Sequence, residues 1–87
     1  MMAAFQSSEE FFKAVNDLVA GLERRGHHQA AAELRAGFGC LNGLTDGWGL
    51  FLESIESVRA TASKLDREDR RALDSIRAAV RTAIHRR

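Results

Sequence analysis

The residues with chemical potential in this chain are three histidines, one cysteine and a few adjacent carboxylates, and their spacing decides what they can do. His27 and His28 are neighbours. On a helix, adjacent side chains diverge by about 100°, so they do not form a chelating pair. Neither His-x3-His nor HExxH spacing occurs, and Glu33 and His85 lie elsewhere in sequence, so no metal ligands are predicted. Solvated histidines in an interhelical turn account for the pair. Cys40 is the only cysteine, which excludes an internal disulfide and any multi-cysteine metal site. Nothing nearby suggests a base to activate it as a nucleophile, so it reads as a buried or half-buried small residue. Were the glycines around it a dimer interface, Cys40 would lie near its symmetry mate. The pairs Glu9-Glu10, Glu53/Glu56 and Glu68-Asp69 fall at exposed helical positions or in first turns, where solvation and capping explain them. No strand is predicted, so no phosphate-binding loop follows one. The sequence therefore predicts no catalytic residue and no cofactor, and not an enzyme.

The arginines are the remaining group. The span 67–87 holds seven arginines against Glu68, Asp69 and Asp74, a local excess of four positive charges within a chain of net charge +1. The rest of the chain therefore carries a balance of −3. Arg70, Arg77 and Arg81 line one side of the last predicted helix, with Arg67, Arg71 and His85 farther round, and such a face can contact phosphates. The interleaved acids and the lack of a helix-turn-helix signature argue against nucleic acid, leaving a solvated face or a surface for an acidic partner. Arginine outnumbers lysine eleven to two and alanine is abundant, a bias expected of a GC-rich bacterial genome.

Eighty-seven residues with 45% hydrophobic content bound the answer to one domain, 1–87, with a core small enough to be marginal alone. No stretch has the length and apolarity of a signal-peptide core or a membrane span, and a single cysteine fits a reducing compartment. The expected location is cytoplasmic, with no membrane contact.

The chain is coded for helices throughout and contains no proline. Ser7 and Glu10 have capping-box spacing. Behind them Phe11, Val15, Leu18 and Leu22 form a stripe at helical period, and Gly26 after Arg24 and Arg25 has C-cap chemistry. A first helix is predicted over about 9–25. Asp66 can cap a last helix over about 67–85, with Leu73, Ile76, Val80 and Ile84 as its apolar stripe. Asp74 lies three or four residues from Arg70, Arg71 and Arg77, spacings that favour ion pairs within that helix.

The middle of the chain supports two architectures. Leu34, Phe38, Leu41, Leu44, Trp48, Phe51, Ile55, Val58, Ala62 and Leu65 recur at intervals of three and four, nearly a heptad running through the glycines. Wound at about 100° per residue, Ala32, Ala36, Gly39, Gly43, Gly47, Ser54, Ser57 and Thr61 gather on a second face, interrupted by Leu50. Two seams are what a central helix with two packing partners would show, its glycines admitting a close neighbour. Against this, Asn42-Gly43 and Asp46-Gly47 are turn dipeptides, and five helical glycines would cost about 4–5 kcal/mol relative to alanine. The expected fold is a small all-α bundle of three helices with a long central helix over 28–64, straight or kinked, or of four helices if the chain breaks near 42–46. Phase continuity tips the balance to the long helix, which would span about 57 Å and leave one side of the protomer uncovered.

An uncovered side needs a partner, and a two-fold homodimer is the simplest closed solution. Gly39, Gly43, Gly47, Trp48 and Leu50 are the interface candidates. Trp48 reads first as core, from its place in the heptad, and second as an interface anchor. The functional expectation is a bacterial protein-protein interaction module acting as a homodimer, in an adaptor, immunity-type or regulatory role. The alternative is a nucleic-acid-associated regulatory factor that uses the arginine-rich last helix.

Overall fold

The computed structural model describes residues 7–41, 47–61 and 65–85. Four α-helices account for nearly all of them: α1 (Ser8–Arg24), α2 (His28–Phe38), α3 (Gly47–Thr61) and α4 (Arg67–His85). No strand occurs among the described residues.

Local chemistry fixes the ends of α1 and the start of α4. Ser7 is extended and its hydroxyl accepts from the Glu10 amide at 3.1 Å, satisfying one of the orphan donors of the first turn. At the other end Gly26 takes φ +88°, while its amide donates to Glu23 and the His27 amide donates to Leu22 at 2.8 Å. That is a Schellman stop, and it needs a residue without a Cβ penalty in the left-handed region. Asp66 caps α4, its Oδ1 accepting from the Asp69 amide at 2.8 Å.

The helices pack as a ring in chain order: α1 lies beside α2 and α4, and α3 beside α2 and α4. One apolar cluster fills the centre, drawn from Phe11, Val15 and Leu22 of α1, Leu34 of α2, Phe51 and Ile55 of α3, and Leu73, Ile76 and Val80 of α4. Full burial of each such side chain contributes roughly 1.5–3 kcal/mol, so this cluster rather than helix propensity sustains the fold.

The middle segment takes the four-helix alternative and overturns the long central helix. After Phe38 the chain turns through 39–41, and from Gly47 a new helix packs back along α2. Two parts of one continuous helix cannot lie side by side. The longest dimension of the molecule, 35 Å, is also well short of a helix over 28–64. The exact stretch expected to break, 42–46, lies outside the described residues, as does Gly43.

The described members of the apolar heptad all turn inward, while Leu44 and Ala62 lie outside the described residues. Leu34, Phe51, Ile55, Val58 and Leu65 are buried, and Phe38, Leu41 and Trp48 pack against the core. The phase persists across the break because both helices face the same centre. The small-residue seam does not survive as one face. Ala32, Ala36, Gly39, Ser57 and Thr61 are exposed, Ser54 is half-buried, and Gly47 is buried.

Candidate protein-protein interface

The close approach between α2 and α3 is set by Gly37 and Gly47. A Cβ on Gly37 would stand 2.6 Å from the Ser54 Cβ and 3.3 Å from the Phe51 Cα. A Cβ on Gly47 would collide with the Cys40 carbonyl oxygen and stand 3.3 Å from the Leu41 Cα. These glycines serve contacts inside the chain. Of the sequence-derived interface residues, Gly47 is thus covered by the chain itself, while Gly39 at the end of α2 is exposed.

Directly beside this close approach lies a cluster of five aromatic rings. Phe11, wholly buried, stands 5.8 Å from Trp48 and 6.4 Å from Phe51 by ring centroids. Phe38 stands 5.5 Å from Phe51 and 5.6 Å from Phe12, edge to face with the latter. Phe12 completes the chain of rings at 5.8 Å from Phe11. Edge-to-face and tilted pairs at these distances are favourable beyond their buried area. The cluster joins the start of α1, the end of α2 and the start of α3.

This same end exposes apolar surface. Phe12 is 39% and Leu50 44% exposed, the two large hydrophobic side chains left at the surface among the described residues. Trp48 is half-buried against Phe11. Leu50 and Trp48 flank Gly49, where an added Cβ would meet nothing within 4 Å. Trp48 and Leu50 lie in the first turn of α3, about 160° apart by helical winding, and Gly39 follows the last turn of α2. Phe12 and Phe38 meet edge to face across α1 and α2, a contact that sequence reasoning missed: Phe12 stood outside the apolar stripe of the first helix, and Phe38 was only a heptad position.

Arg77 is tied to Glu56 of α3 by hydrogen bonds of 2.7 and 3.1 Å, whereas Arg70 and Arg81 are exposed. The Arg77 guanidinium, with lesser fields from Arg59 and Arg81, holds the Glu56 carboxyl below its ordinary value. Asp74 does not pair along its own helix as its spacing predicted; it accepts from Arg59 Nε of α3 at 2.6 Å. A hydrogen bond from Arg35 similarly lowers Glu23 on the α1–α2 side. Asp69, expected as a solvated first-turn charge, is buried and takes both its partners from Arg25.

His27 is half-buried, His28 and His85 are exposed, and the Cys40 thiol points to the Ala36 carbonyl at 3.6 Å. Among the described residues no group of three or more His, Cys, Asp or Glu is placed to hold a metal ion. No described helix is long and apolar enough to cross a membrane. Comparison of the chain with protein-family models, with curated proteins and with solved structures finds no match, so the geometry alone carries the functional reading.

Proposed function

We propose that this protein is a protein-protein interaction module that works as a homodimer, joined through the aromatic end of the helical ring. The observation that carries the reading is the exposure of Phe12 and Leu50 at the level of the ring cluster. Apolar side chains beside a rigid aromatic platform are what an interface core requires, and a tryptophan at its edge is the residue type most enriched at binding hot spots. A second copy is the simplest occupant. One apolar patch can meet its own image across a two-fold axis without any further complementarity evolving. A chain this small also gains proportionately from any apolar area it covers. An adaptor, immunity-type or regulatory role follows from binding rather than from turnover.

The experiment is sedimentation equilibrium across micromolar to millimolar concentrations, with Leu50→Glu and Phe12→Glu beside the wild type. The reading expects a monomer–dimer equilibrium that both substitutions move at least tenfold toward monomer while the helical circular dichroism is kept. A wild type that stays monomeric throughout, or substitutions without effect on association, would sink it.

A further inference from the structure

We infer that the outer face of α4 is a docking surface for the phosphate backbone of duplex nucleic acid. Interleaved acids were the reason to doubt such a face in the sequence, and the fold pairs two of the three with arginines. Asp69 is turned inward and buried on Arg25. Asp74 is neutralised by Arg59 from α3. Arg77, turned toward α3, satisfies Glu56. What stays exposed is Arg67, Arg70, Arg71, Arg81 and His85. At about 100° per residue these five fall within an arc of about 100°. The four arginines form no ion pair among the described residues. By the same winding Glu68 lies about 60° outside the arc, whereas Asp74 falls within it, paired there with Arg59.

The shape of the charge selects the partner. From Arg67 to Arg81 the row runs for about 21 Å along a straight helix at 1.5 Å per residue. Duplex nucleic acid carries one negative charge per about 1.7 Å of axis, so a row of that length faces roughly a dozen phosphates. Guanidinium forks match phosphate oxygens two at a time. The remainder of the chain holds the compensating balance of −3, so a polyanion is repelled elsewhere and steered to this face. Phosphate contacts carry no sequence information, so binding through them is independent of base sequence. It uses a different surface from the dimer proposed above and does not rest on it.

Fluorescence anisotropy of a labelled duplex DNA oligonucleotide, titrated with the full chain at several salt concentrations, tests the inference. Four phosphate contacts predict a slope of log K against log salt of about −3.6, which weakens binding roughly 100-fold between about 50 and 200 mM salt. Arg70→Gln/Arg81→Gln is expected to flatten the slope by about 2. Lys13→Gln/Arg24→Gln removes the same charge from exposed positions on α1 and is expected to leave the slope unchanged. Circular dichroism verifies that both double variants are folded. Absence of binding at about 50 mM salt, where phosphate contacts are strong, would overturn the inference. Equal slopes for the two double variants would do the same. Polyglutamate competing as well as unlabelled DNA would assign the face to an acidic polypeptide instead and overturn the duplex reading.

Discussion

Arg25, the residue that ends α1, places its guanidinium against Asp69 in the first turn of α4, with Nε 2.8 Å from Oδ2 and Nη2 on the second oxygen. Asp69 is the one buried charged residue among those described. The pair ties the end of the first helix to the start of the last, and Asp66 adds a weaker contact at 3.9 Å. Gly21 makes it reachable, because a Cβ there would stand 2.6 Å from the Arg25 Nη2.

Removing one partner should therefore cost more than removing both. Arg25→Met leaves a buried carboxylate without its cation. The cost of breaking a fully buried pair is about 3–5 kcal/mol, and because Arg25 is 41% exposed we expect about 2 kcal/mol. Arg25→Met/Asp69→Leu should recover at least half of that. Urea denaturation of the two variants checks the order, and a double variant less stable than the single one would refute the argument.

The glycines of the middle segment should respond to alanine with opposite signs. Gly37→Ala puts a methyl into the Ser54 side chain and the Phe51 backbone, and overpacking of this kind costs about 1–3 kcal/mol. Gly47→Ala meets the backbone of Cys40 and Leu41, which cannot rotate away, and should be at least as costly. Gly49→Ala meets nothing and should stabilise by about 0.5–1 kcal/mol through helix propensity. Thermal unfolding of the three variants gives the signs directly.

Acid should weaken the fold through two exposed carboxylates. Hydrogen bonds from Arg35 and Arg77 hold Glu23 and Glu56 below the ordinary value of 4.5. A carboxyl lowered in the folded state contributes stability that is present above its unfolded value and disappears as pH falls through the lowered one. The contribution is small because both groups are solvated and screened by salt. Urea midpoints of wild type and Arg77→Gln should differ at neutral pH and converge once the pH falls well below 4.5, with the gap narrowing in high salt. A gap that persists unchanged into acid would point to packing of the arginine stem instead.

Trp48 should report association. It is the sole tryptophan and lies half-buried against Phe11 at the proposed dimer surface. Its emission is expected to shift to shorter wavelength as concentration rises and water is excluded, and Leu50→Glu should abolish the shift. Emission independent of concentration, in a sample shown to dimerise, would place the interface elsewhere.

Much of the architecture was legible in residue types and intervals. The Ser7 and Asp66 caps, the Gly26 stop and the inward stripes of α1 and α4 are local properties, settled within a turn or two of chain. The interface was legible only in part. Trp48 and Leu50 stand where a partner could reach them, but Phe12 could not be told from a core residue without knowing which side of α1 faced α2. The glycines at 39, 43 and 47 misled because small residues at every fourth position look the same whether they admit a partner, a neighbouring helix of the same chain or a turn.

The sequence by itself determined that this chain is helical, where its first and last helices begin, and which side of each turns inward, because these follow from hydrogen bonding and periodicity over a few residues. Only the tertiary structure decided that α2 and α3 fold against one another, since a heptad phase is preserved whenever two successive helices face one core. It also decided which charges remain free. Arg25 and Asp69 are 44 residues apart in the chain, and Asp74 and Arg59 belong to different helices. Their pairing depends on distances that packing alone creates, and with it the exposed arginine row of α4.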